Sequence, residues 1–198
     1  MSRGALDSRF AGQIRIAVLA HAEAEPDAGP GESAVRIEAT FRAESKPQKV
    51  VTGRFETPGR VEATIEVAGE LQRLSGFGKW HEQRGPRARF AAAFTYMSVG
   101  GPGGAILASR NARGAWGYLA SNGSVTPVSA FEVGSDSKRR DFNVTLADGR
   151  SFGGSAERRH RYSVAVEGNR RPGNIVVCST PFGLMVGELN DWNPENRA

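Results

Sequence analysis

The densest group of reactive side chains in the sequence is Gly76-Phe77-Gly78-Lys79-Trp80-His81-Glu82-Gln83-Arg84-Gly85-Pro86-Arg87. Burying so many polar groups costs free energy unless they are paired, so such a cluster is either surface or a site. In an extended chain, side chains alternate between two faces. Lys79, His81 and Gln83 then share one face, and Trp80, Glu82 and Arg84 share the other. A histidine facing a cavity acts as an acid or base near neutral pH. A buried Glu82 has its pKa raised and becomes a proton donor. A regular strand turns only one of the two inward; a bulge near Gly85 brings both close. Lys79 or Arg84 would stabilise developing negative charge. A purely architectural reading stands beside this one: Trp80 closes one end of the fold, with Glu82, Arg84 and Arg87 pairing around it.

Aromatics recur at even spacing further along. Phe90, Phe94 and Tyr96 fall on one face of a run, and Trp116 and Tyr118 on one face of another. The phenylalanines read as core. Tyr96, Trp116 and Tyr118 carry polar atoms and suit ligand contact. Glu188 is the only charge in the segment 182–189 and reads as an arginine's ion-pair partner or as a site residue. Cys178, the only cysteine, lies in an apolar run and reads as a small buried hydrophobe. One cysteine forms no intrachain disulfide, and three scattered histidines match no metal spacing, so no metal cofactor is expected.

The elements that must position these residues are short extended runs. Segments 14–19, 34–42, 49–56, 61–67, 71–83, 89–99, 105–109, 115–120, 125–133, 141–146, 151–156, 162–166, 175–179 and 182–189 are apolar or alternating, and turn residues separate them. Thr57-Pro58-Gly59, Gly100 to Gly104, Asn111 to Gly114, Ser121-Asn122-Gly123-Ser124 and Ala147-Asp148-Gly149-Arg150 read as turns. A short helix is allowed only at Arg3–Phe10, and the tail from Asp191 onward reads as frayed. About a dozen strands at this spacing predict an all-β, antiparallel β-barrel of about 8–12 strands. The 198 residues are read as a single domain, 1–198, with short flexible termini.

The net charge is +5. The tightest basic groups, Lys138-Arg139-Arg140, Arg158-Arg159-His160-Arg161 and Arg170-Arg171, lie near expected turns and read as solvated hairpin ends. No nucleic-acid-binding motif accompanies them, so nucleic acid is not an expected partner. No stretch suits a membrane span or a signal peptide, and the expected compartment is the cytoplasm.

The order of motifs resembles the lipocalin-like family related to bacterial carotenoid 1,2-hydratase, also called the hydroxyneurosporene synthase or AttH-type family, in its C-terminal half. The residues that carry the resemblance begin with Arg60 to Glu70, leading through Gly-x-Gly to the polar cluster and Gly-Pro-Arg. Gly114-Ala115-Trp116-Gly117-Tyr118 before an Asn-Gly turn, and the glycine-punctuated run ending in Gly187-Glu188, complete it. The family's cluster is commonly Asp-His-Ser-Trp-Gly, whereas this chain has His81-Glu82-Gln83-Arg84-Gly85. Members usually carry two lipocalin-like halves, and this chain has room for about one. The resemblance implies a lipocalin-like barrel around a hydrophobic small molecule, with metal-free hydratase/lyase, cyclase or isomerase chemistry. On this reading His81 and Glu82 are the acid/base residues, and Lys79, Trp80, Arg84, Tyr96, Trp116, Tyr118 and Glu188 contact the ligand. A homodimer would complete a site that relatives build between two halves. The alternative is a non-catalytic lipocalin-like protein that binds a hydrophobic ligand.

Overall fold

The computed structural model describes residues 13–22, 33–51, 53–67, 69–83, 92–166 and 169–193. All regular elements among them are strands: β1 (Gln13–Ala22), β2 (Ser33–Ala43), β3 (Gln48–Val51), β4 (Arg54–Val67), β5 (Glu70–Gln83), β6 (Phe94–Gly101), β7 (Gly104–Asn111), β8 (Gly114–Ser121), β9 (Ser124–Val133), β10 (Arg139–Leu146), β11 (Ser151–Val166), β12 (Asn169–Thr180) and β13 (Gly183–Trp192). The Arg3–Phe10 helix expected from the sequence, the chain termini, Arg84 and Phe90 lie outside the described residues. No helix among the described residues is long and apolar enough to cross a membrane.

The chain divides into two compact units, Met1–Lys46 with Thr57–Trp80, and Pro47–Glu56 with His81–Ala198. The barrel is a closed, antiparallel, eight-strand meander, β6 to β13, in which β13 returns to pair with β6. The reading of 1–198 as one barrel is thus corrected: β1 to β5 form a separate open sheet. The β13–β6 pairing closes the wall and leaves no barrel edge for the remaining strands to join.

In the first unit, β2 pairs with β1 on one side and with the 59–67 stretch of β4 on the other. Thr57-Pro58-Gly59 is not the turn expected from its composition but part of β4. Pro58 accepts a hydrogen bond from the Glu44 amide at 3.0 Å. A Cβ on Gly59 would come within 2.7 Å of the Phe41 ring, so the glycine admits a close neighbour and does not reverse the chain.

In the second unit, alternation along the barrel strands is clean. Arg140, Phe142, Val144 and Leu146 of β10 are buried, while Arg139, Asp141 and Asn143 between them are exposed. Met97, Ile106, Leu119, Phe131, Val144, Ala156, Cys178 and Leu189, one from each barrel strand, meet in a single apolar cluster. Only the lumen is reached from all eight strands, so this cluster is the barrel's core. Fully burying such a side chain contributes about 1.5–3 kcal/mol. The hairpin β8–β9 turns at Asn122-Gly123, with φ of 51° and 73°, the paired positive angles that a two-residue hairpin of this hand requires.

Lys138 and Arg139 are exposed beside the β9–β10 connection, as expected, but other basic residues are not solvated hairpin ends. Arg158 to Arg161 lie inside β11, where the register shifts between Arg158 and His160 and leaves Arg159 as the extra residue of a bulge. Arg140 and Arg171 are buried. Arg140 forms an ion pair with Asp191 at 2.6 Å, and the Arg171 guanidinium lies 4.2 Å from the centroid of the Trp192 ring. Each arginine has a carboxylate or an aromatic face to offset its desolvation. Asp191 is therefore not in a frayed tail: it belongs to β13 and also accepts from Thr95 Oγ1 at 2.7 Å.

Candidate acid/base site on the outer face of the barrel wall

Period two sets the faces of β6, β7 and β8. Met97, Ile106, Ala108 and Leu119 enter the core. Their neighbours Tyr96, Leu107, Ser109, Trp116 and Tyr118 therefore stand on the outer face, with Leu107 opposite Tyr118 and Ser109 opposite Trp116. This corrects the expectation that Tyr96, Trp116 and Tyr118 line the barrel cavity. Leu107, Ser109 and Tyr118 are nevertheless 1–2% exposed, so this stretch of outer wall is covered. β3 approaches β8 there.

β3 pairs with residues 54–56 of β4 and brings Arg54 and Glu56 onto one side, two positions apart. The Glu56 side chain is wholly buried. Its Oε1 accepts from Arg54 Nε at 3.0 Å and Nη2 at 2.5 Å, and lies 3.1 Å from His81 Nδ1. The oxygen has only lone pairs to offer, so Nδ1 carries the histidine's hydrogen. In the neutral imidazole Nε2 then offers the lone pair. The His81 side chain is 33% exposed and can meet a ligand while Glu56 holds the ring from below. A buried carboxylate that orients a histidine through Nδ1 is an arrangement that supports proton transfer at Nε2.

The surrounding groups extend the cluster. The Arg54 guanidinium lies 5.6 Å from the centroid of the Tyr96 ring. The Tyr118 phenol is held far above its ordinary pKa, first by burial and then by the Glu56 carboxylate, with Arg54 acting in the opposite sense. It is therefore a neutral hydroxyl. Beside Tyr96, across the β13–β6 pairing, stands Asn190. Its side-chain amide and the Tyr162 hydroxyl both donate to Glu188 Oε2 at 3.1 Å. Burial raises the Tyr162 pKa, the Asn190 hydrogen bond lowers it, and the charge of Glu188 and its hydrogen bond raise it.

Of the residues singled out from the sequence, the structure gathers His81, Tyr96 and Tyr118 around Glu56, with Trp116 on the same face as Tyr118. Glu188 joins the neighbouring Tyr162–Asn190 network. Glu82 is half-buried on β5, and the carboxylate that meets His81 is Glu56. Lys79 and Trp80 are half-buried and belong to the first unit. Sequence reasoning missed Arg54 and Glu56. The available signal was their period-two placement around Phe55, two opposite charges on one face of a short strand.

A second feature lies at one mouth of the barrel. A cleft of about 460 Å³ is lined by Phe94, Thr95, Arg110, Asn111, Asp191 and Trp192, among others. Comparison with protein-family models, with curated proteins and with solved structures found no match to this chain.

Proposed function

We propose that the protein is a cofactor-independent enzyme that acts by acid/base chemistry on a hydrophobic small molecule. The reaction belongs to the hydratase/lyase, cyclase or isomerase type. The carrying observation is the 3.1 Å approach of His81 Nδ1 to the wholly buried carboxylate of Glu56. His81 is the proton-transferring residue at Nε2. Glu56 positions it, and Arg54 fixes Glu56. Tyr96, Trp116 and Tyr118 form the wall against which the substrate lies. In this reading Glu56, within hydrogen-bonding reach of the histidine, takes the acid's part expected of Glu82. The resemblance to the carotenoid 1,2-hydratase-related family points the same way: such chemistry needs a shaped apolar site and one oriented acid or base.

The alternative, ligand binding without turnover, draws on the cleft between Phe94 and Trp192 at the barrel mouth. The test separates the two. The protein is incubated in deuterated buffer with a panel of terpenoid and polyketide-like compounds, and products are read by mass spectrometry for solvent deuterium or the mass of one added or lost water. The expected result is a change that depends on wild-type protein and falls by about 10²-fold or more in His81→Ala and Glu56→Gln. Ligands retained unchanged by all three proteins would support binding alone and end the enzymatic reading.

A further inference from the structure

Two buried hydrogen-bond donors on the outer face of β8 have no acceptor among the described residues. Tyr118 Oη and Trp116 Nε1 are both buried, and neither makes a hydrogen bond among the described residues. Tyr118 as a whole is 2% exposed. A buried donor without a partner is destabilising. Two of them, two residues apart on one strand face, are rare enough in a folded wall to need a cause. Both are donors: the indole N–H can only donate, and the Tyr118 phenol keeps its proton because burial and the Glu56 charge oppose its loss. The missing group is therefore an acceptor. Glu56 and Arg54 are paired and act on Tyr118 in opposite senses, so no net charge beside it calls for a charged ligand. A neutral acceptor suits the site.

We infer that the substrate is a hydrophobic carbonyl compound whose oxygen accepts hydrogen bonds from Tyr118 Oη and Trp116 Nε1. The inference rests on the acid/base reading above and narrows its chemistry to enolisation, as opposed to protonation of an isolated alkene. With the oxygen held by the two donors, His81 Nε2 takes the proton from the carbon beside the carbonyl. The C–H bonding pair becomes the C=C of an enolate, and the carbonyl π pair moves onto the oxygen, where the two N–H and O–H donors meet the developing charge. Return of the same proton from His81 to the γ-carbon of an unsaturated substrate completes an isomerisation with no atom or electron gained or lost.

The test uses a matched pair of probes, 2-acetylnaphthalene and its isostere 2-isopropenylnaphthalene, which differ only in C=O against C=CH₂. Binding to the full-length protein is followed by tryptophan fluorescence, and the bound ketone's C=O stretch by infrared difference spectroscopy. The expected results are a preference of about tenfold or more for the ketone, a C=O band moved to lower frequency than in hexane, and loss of both in Tyr118→Phe. Thermal stability separates this role from a structural one. Tyr118→Phe removes a hydroxyl that has no partner, so its Tm should equal or exceed that of wild type, whereas a hydroxyl that held the wall together would lower it. Equal binding of the two probes, an unshifted C=O band, or no binding of either overturns the inference. The acid/base reading is judged separately: turnover of a substrate without a carbonyl, lost in His81→Ala, would retain that reading and remove this one.

Discussion

Glu56 and His81 are 25 positions apart in the chain and 3.1 Å apart in space, and the same oxygen of Glu56 also receives both contacts from Arg54. The carboxylate is wholly buried, the guanidinium is 22% exposed and the imidazole 33% exposed. The charge at the bottom of the site thus has protein partners, and the groups above it keep contact with solvent or ligand.

That arrangement predicts a cost for removing Glu56. Glu56→Ala leaves the Arg54 guanidinium partly buried without its carboxylate and should lower stability by about 3 kcal/mol, the lower end for breaking a buried pair because Arg54 retains some solvent. Glu56→Gln, which keeps the volume and an acceptor oxygen, should cost less. Urea unfolding with an unchanged m-value measures both. A double-mutant cycle with Arg54→Ala should give a combined loss smaller than the sum of the two single losses; strict additivity would show that the pair is not coupled.

The pair Arg140–Asp191 should respond asymmetrically. Arg140 is 6% exposed and Asp191 41% exposed on their side chains. Asp191→Ala strands a buried guanidinium with the Gly134 carbonyl as its remaining acceptor among the described bonds and should cost about 2–3 kcal/mol. Arg140→Met leaves a carboxylate that water can reach and should cost about 1 kcal/mol. Equal losses in chemical denaturation would contradict the burial difference.

Burial pushes the Cys178 thiol up to about 12. Its folded-state pKa lies above the unfolded value, so the folded chain holds this proton over a range in which the unfolded chain releases it. The associated stability is fully present below about pH 9 and falls as pH rises toward 12, by about 1.4 kcal/mol per unit at most. The difference in unfolding free energy between wild type and Cys178→Ala should decline across that window and be flat below it. At pH 8 the native thiol should resist iodoacetamide and react once the protein is unfolded in urea. Rapid native labelling would show that the core around Cys178 opens.

The β8–β9 turn offers a backbone test. Gly123 has φ of 73°, and a Cβ placed on it meets nothing within 4 Å. Gly123→Ala should therefore cost only the left-handed backbone penalty, about 1–2 kcal/mol, read as a shift in urea midpoint. No measurable shift would mean that the turn readily adopts another geometry.

The sequence alone determined the local grammar. The strict alternation in 34–42 and 61–67, the Asn122-Gly123 turn and the glycine-rich reversal before Ala105 each follow from side-chain period and φ preference, which act over a few residues. His81 and Tyr118 were legible as site candidates because polar groups set among apolar runs must be paired or used. Three features depended on distant partners. Thr57-Pro58-Gly59 has the composition of a turn, yet the Phe41 ring lies where a Cβ on Gly59 would be, and the segment stays extended within β4. Arg140 and Arg171 have the composition of surface residues, yet Asp191 and Trp192 receive them. Glu56 gave no sign of meeting His81, because strand pairing over tens of residues carries no local signature. Which face of the wall enters the core was likewise beyond the sequence. Alternation states that Tyr96 and Met97 point opposite ways, but only closure of the eight strands into a barrel decides that Met97 fills the lumen and Tyr96 joins the outer site.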